Sequence, residues 1–173
     1  MFANVRPTAT PVPALVPPAE EDIETLLDLA WRDPRLSEFA SLVEGTELGA
    51  RLDAPGSYTL LVPTNEAWGA MTEEQRRSLA DPGLRERLLG HHVLPTKVLE
   101  PDLILLEKLD PLVGPPIRVH IDMLISEEEC CGLTYIRYVD GGAMISSPIE
   151  ADNGLLYVID AVLWPEGADI STP

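Results

Sequence analysis

The sequence predicts an α+β domain, with helices first and antiparallel strands after them. Three observations predict it. In the first half of the chain, apolar residues recur three and four positions apart, the spacing of one helix face. After residue 115 they alternate with polar residues, the period of a half-buried strand. Two glycine-bearing turn signals, Asp140-Gly141-Gly142 and Asn153-Gly154, divide that second half into hairpins.

Residues 1–19 are set apart by composition. Pro7, Pro11, Pro13, Pro17 and Pro18 remove backbone donors and favour extended geometry, so this stretch is read as a linker or stalk. Helical spacing begins after it. Ile23, Leu26, Leu27 and Ala30 form one stripe, with Glu20, Glu21 and Asp22 suited to a first turn. Leu36, Phe39, Ala40 and Val43 form a second, which Gly45 stops. Tyr58 to Val62 is an apolar run short enough to be a buried strand, and Pro63 ends it. Thr64 or Asn65 then caps a short helix through Trp68 and Met71. Thr72 and Gln75 have capping-box spacing for a helix through Leu79, and Asp81-Pro82 opens another with Leu84, Leu88 and Leu89 on one face. Ile117, Val119 and Ile121 alternate with Arg118, His120 and Asp122. Leu133 to Val139 and Met144 to Ile149 flank the first turn, and Leu155 to Leu163 reads as a long last strand. The globular unit is placed at 20–166, and 167–173 is left as a tail.

Composition excludes several functions. A chain of 173 residues with 45% hydrophobic content can bury one core, and no apolar run approaches the roughly 18 residues that span a bilayer. The net charge of −17 repels phosphate backbones and anionic membranes, so nucleic acid is not an expected partner. Solubility explains that charge, as does a cationic partner. Cys130 and Cys131 are adjacent, which gives neither a disulfide framework nor a metal-binding spacing. They are expected in an exposed loop.

Three stretches together resemble the fasciclin family. Tyr58-Thr59-Leu60-Leu61-Val62-Pro63-Thr64-Asn65-Glu66-Ala67-Trp68 is similar to its first signature. Leu88-Leu89-Gly90-His91-His92-Val93-Leu94-Pro95 is similar to its central segment. Asn153-Gly154-Leu155-Leu156-Tyr157-Val158-Ile159-Asp160-Ala161-Val162-Leu163-Trp164-Pro165 resembles its closing signature. The resemblance implies a wedge of two small, mostly antiparallel β-sheets with a helical layer, in which Thr64, Asn65, His92, Asn153, Gly154 and Asp160 are structural. It also implies an adhesion module, extracellular or on the cell surface, whose partner is a protein or glycan. A secretory signal is then expected to have been removed before residue 1, and the proline-rich start is similar to the spacer that follows a lipid anchor. Two departures matter. The tyrosine usual before the central histidine is His91 here, and the acidic residue through which some animal members bind integrins is replaced by Pro148 before Ile149. Integrin binding is therefore not transferred. The patch expected to touch a partner comprises His91 and a loop carrying Glu100 and Asp102.

Templates for chemistry fail in turn. His91 and His92 are adjacent, so their side chains diverge and do not share a metal ion, and nothing fixes His120 as a third ligand. His92 is read as a satisfied core residue near the Thr64-Asn65 loop. Glu127-Glu128-Glu129 lacks the alternating ligands of a calcium loop. There is no nucleophile elbow, zinc-protease helix or phosphate-cradling glycine loop, so no catalytic residue, metal or cofactor is assigned. The rival to adhesion is a carrier of an apolar molecule, a lipid or carotenoid, in a groove lined by Trp31, Trp68, Trp164 and Leu103 to Leu106.

Overall fold

A computed structural model describes residues 24–125, 133–140 and 142–165, with backbone alone for Ile104, 123–125 and 133–135. Its centre is a pair of strands from the two ends of the domain. Strand β1 (Tyr58–Pro63) lies parallel to β8 (Gly154–Ile159), with Tyr58 opposite Gly154 and Pro63 opposite Ile159. The short β2 (Val93–Leu94) flanks β1 and β7 (Ile149–Ala151) flanks β8, both antiparallel. Leu60, Val62, Leu156 and Val158 point to one core, and Leu61, Leu155, Tyr157 and Ile159 to another. A strand pair buried on both faces has no polar side to show, which is why both segments read as continuous apolar runs.

The first core is roofed by helices. Helix α1 (Leu26–Arg32) starts at a capping box in which the Thr25 hydroxyl accepts from Asp28 N–H and the Asp28 carboxylate accepts from Thr25. The expected acidic first turn at Glu20, Glu21 and Asp22 lies outside the described residues. After a 3-10 turn, α2 (Ser37–Val43) buries Phe39, Ala40 and Val43, and Leu36 is buried just ahead of it. Gly45, at φ +74°, ends that run. Helix α3 (Glu47–Leu52) follows, capped by Thr46 and burying Leu48 and Leu52. Sequence reading passed over it because its six residues are too few to show a helical repeat. Thr64 caps α4 (Asn65–Gly69), which buries Trp68. The Thr72–Gln75 box opens α5 (Glu73–Ser78), and Asp81 caps α6 (Pro82–His91).

The second core lies between the other face of the central sheet and an outer sheet of β3 (Lys108–Leu109), β4 (Ile117–Ile125), β5 (Leu133–Val139) and β6 (Gly142–Ala143), all antiparallel. The domain is therefore α+β, with two mostly antiparallel four-stranded sheets and a helical layer.

Three expectations are corrected. Residues 144–149 are not one strand. Met144 bridges to Ile159, β7 begins only at Ile149, and the register along β8 steps by two residues between them. Pro148 has no N–H for a ladder there, and the Ser146 hydroxyl accepts the bond that Val158 N–H would otherwise lose. Strand β8 stops at Ile159, short of Leu163, because the chain turns away to meet α6. The segment expected as a loop around Glu100 to Asp102 is a helix, α7 (Glu100–Leu105), with Pro101 in its first turn. Cys130, Cys131, the Glu127–Glu129 run, the stalk at 1–19 and the tail at 167–173 all lie outside the described residues.

Candidate functional site

The residues expected to be structural hold distant parts of the chain together. The Asn153 side chain is buried and spans three elements. Its Oδ1 accepts from Leu26 N–H at 2.9 Å, and its Nδ2 donates to the carbonyls of Leu52 at 2.5 Å and Ala54 at 3.0 Å. Each is a backbone group at a helix end that has no intrahelical partner. Beside it, Gly154 has no room for a side chain, since a Cβ there would lie 2.1 Å from the Tyr58 carbonyl oxygen. Asn65 does similar work on the other side of the molecule. Its amide donates to the Pro34 carbonyl and the Ser37 hydroxyl and accepts from Glu38 N–H. Thr64 Oγ1 accepts from Ala67 N–H, and Asp160 Oδ1 accepts from Ala143 N–H at 2.6 Å, tying the end of β8 to β6.

The two histidines differ. His92 is wholly buried with both ring nitrogens bonded. Leu163 N–H donates to Nε2 at 3.0 Å, so Nε2 is bare and the proton sits on Nδ1, which donates to the Leu88 carbonyl at 2.8 Å. Burial holds its pKa down at about 4, against an ordinary 6.5. It is a satisfied core residue, but its partners are Leu88 and Leu163 rather than the Thr64-Asn65 loop. His91 is equally buried, which corrects its expected place on a surface patch. Its Nδ1 donates to the Val113 carbonyl at 3.1 Å. Its Nε2 has no hydrogen-bond partner among the described residues and lies 4.0 Å from the Asp140 carboxylate. The pKa is pushed down by burial, against the opposing pull of the Val113 carbonyl and Asp140.

Glu100 and Asp102 share α7 but have different surroundings. Glu100 forms an ion pair with Arg137 of β5, whose side chain is only 17% exposed. Nearby, the Tyr157 hydroxyl donates to the Val98 carbonyl at 2.9 Å, and burial with the Glu100 charge pushes its pKa up to about 12. Asp102 faces solvent. Around it stand Leu99, Leu105 and Leu106, exposed by 46%, 83% and 40%. Sequence reading placed Leu105 and Leu106 in the lining of an apolar groove and missed that they stand on the edge of a helix. The signal was present, since Pro101 marks a helix start and Leu99, Leu103 and Leu106 then fall on helical spacing with only Leu103 buried.

The residues proposed for an apolar groove are not brought together. Trp68 and Trp164 pack against the helical-side core, Leu103 against the opposite one, and Trp31 stands exposed on α1. An open cleft of about 510 Å³ does lie where β1 and β8 end. Pro34, Arg35, Thr64, Asn65, Glu66, Ala67, Ile145 and Asp160 line it. Among the described residues no group of three or more metal-ligating side chains converges, and no helix is long and apolar enough to cross a membrane.

A sequence model of the Fasciclin domain matches residues 34–165, most of the chain. The chain belongs to the fasciclin family. Human periostin is 28% identical over 152 residues, covering 87% of this chain and 17% of periostin. The uncharacterized protein sll1735 of Synechocystis sp. is 30% identical over 140 residues, covering 80% of this chain and 96% of that protein. Transforming growth factor-beta-induced protein ig-h3 of Sus scrofa is 30% identical over 130 residues, covering 73% of this chain and 17% of its own. This fasciclin chain thus spans about a sixth of the length of the two animal relatives and nearly all of the cyanobacterial one. A FAS1 domain pair from the insect cell adhesion molecule Fasciclin I has the same fold, with a TM-score of 0.54 at 16% identity over 75% of this chain and 45% of that one. Fasciclin domains therefore occur in adhesion proteins, and this chain is one of them by fold and family.

Proposed function

We propose that this fasciclin domain is an extracellular or cell-surface adhesion module that holds a protein or glycan partner without turning it over. The contact face is α7. The observation that carries this reading is the gathering of three exposed leucines, Leu99, Leu105 and Leu106, with the exposed carboxylate of Asp102 on one short helix and its caps. Single exposed leucines are ordinary on protein surfaces, whereas a cluster rimmed by charge is the usual make-up of an interaction site. Support comes also from the relatives, one of which is a cell adhesion molecule by its description. Glu100 supports the face from behind through Arg137 instead of offering its charge outward, and buried His91 is not part of it.

A net charge of −17 steers a basic partner toward the domain, so its on-rate falls as salt rises. The test is capture of a partner from the native cell surface by the full chain, followed by identification and titration. Leu105→Ser combined with Asp102→Asn is expected to weaken that binding about tenfold or more while the melting temperature holds. Unchanged affinity, or the discovery of a bound lipid or pigment in the native protein, overturns the reading.

A further inference from the structure

Where β1 and β8 end, the 510 Å³ cleft has walls of two kinds. Pro34, Ala67 and Ile145 supply apolar surface, with Ile145 49% exposed. Glu66 and Asp160 supply carboxylates, both solvent-facing, and neither belongs to an ion pair among the described residues. The one cation in the lining, Arg35, is already engaged. Its Nε and Nη2 donate to both oxygens of Asp33, at 3.1 and 2.6 Å. That pairing holds the Asp33 carboxyl below its ordinary pKa and raises that of Arg35. The polar groups that build the frame are spent as well. The Asn65 amide is fully bonded and Asp160 Oδ1 holds Ala143 N–H, which leaves Asp160 Oδ2, both Glu66 oxygens and the Thr64 hydroxyl proton to meet a ligand.

We infer that this cleft is a second contact site, which receives a lysine or arginine side chain of a protein partner. Such a side chain matches the cleft atom type for atom type. Its aliphatic stem lies along Ile145, Ala67 and Pro34, and its cationic head reaches Asp160 and Glu66. An acidic ligand finds two negative charges there and, among the described residues that line the cleft, no unpaired cation. The surrounding field of a −17 chain favours the same sign of ligand. The site rests on the reading of the domain as a binding module and specifies the chemistry of what it binds. It shares no lining residue with α7, so a basic segment held there and a second contact at α7 are separate points of attachment.

The experiment is a titration of the isotope-labelled full chain with acetyl-Ala-Arg-Ala-amide and its lysine counterpart, with acetyl-Ala-Glu-Ala-amide as control, followed by backbone amide shifts. Saturable shifts confined to residues 64–67, 145 and 160 are expected for the basic peptides and none for the acidic one. Glu66→Gln with Asp160→Asn is expected to weaken the interaction about tenfold, the amide of the new Asn keeping an oxygen for Ala143 N–H. Glu66→Gln alone, at an exposed position outside the frame, gives a smaller loss and guards against a folding artefact. Shifts spread over the whole acidic surface, or affinity indifferent to both substitutions, overturn the inference. The same variants assayed for native-partner capture keep the two readings apart. Native-partner capture that depends on α7 but is unaffected by the cleft variants discards the cleft only, whereas failure of all capture discards the adhesion reading itself.

Discussion

The central sheet of β2, β1, β8 and β7 and the outer sheet of β3, β4, β5 and β6 have the same number of strands and different burial. In the central sheet, β1 and β8 are covered on both faces, by the helices on one side and the second core on the other. In the outer sheet, Ile117 is buried, Val119 and Ile121 are half-buried, and Arg118, His120 and Asp122 between them face water. The two sheets thus divide the labour. Stability resides where the chain's ends meet in β1 and β8, and the outer sheet is a lid on the second core whose far face contributes little.

That division can be broken most severely at Gly154. Gly154→Ala forces a Cβ against the Tyr58 carbonyl and opens the parallel pair, and a loss of about 4 kcal/mol or more is expected in urea unfolding. A stable Ala variant would show that the strand pair is not the keystone. The contrast is sharpened by matched truncations. Leu156→Ala, in the doubly covered strand, should cost about 2–5 kcal/mol, and Val119→Ala, in the half-covered one, about 1 kcal/mol. Equal losses would contradict the division of labour.

A third test acts through pH. His92 joins α6 to the chain leaving the central sheet, and its pKa is lowered from 6.5 in the unfolded chain to about 4 in the folded one. The unfolded state therefore binds the proton first. Stability from this group is fully present above about pH 6.5 and is lost as pH falls toward 4, a drop on the order of a few kcal/mol. His91, also depressed by burial, adds a slope of the same sign. Urea unfolding between pH 7 and 4 measures it, and His92→Gln, which keeps a donor and an acceptor, should flatten the curve. The smallest effect concerns the ion pair between α7 and the outer sheet. Glu100→Ala leaves the largely covered Arg137 without its carboxylate and should cost about 1–2 kcal/mol, with Glu100→Ala/Arg137→Met recovering part of it. No loss would mean that α7 is not braced against the outer sheet by this pair.

What could be read in advance follows the same division. Runs such as Leu60-Leu61-Val62 and Leu155 to Ile159 announce buried strands, and caps such as Thr64, Thr72 and Asp81 announce helices, because each is a local rule acting over a few residues. The parallel pairing of β1 with β8 has no local signature, since a strand's direction relative to a remote partner is decided by the whole fold. The burial of His91 was equally invisible. Its ring is covered by Val113 and Gly114, some twenty residues on, and a glycine at φ +105° is what lets the backbone come that close. Asn153 was legible as a turn residue. Its bonds to Leu26, Leu52 and Ala54 were not, because turn chemistry and long-range capping call for the same amide.

The meeting of β1 with β8 also has a consequence in time. Tyr58 finds Gly154 only after nearly the whole domain has been made, so the contact order is high and the central sheet closes late. During synthesis the α1 to α3 helices and β1 must wait with an uncovered apolar strand, and a ribosome-stalled chain ending before residue 153 presents that strand to whatever is near. Folding should then run on the slow, millisecond-to-second side of two-state kinetics, with chain termination anywhere before the last strand yielding no partly useful product.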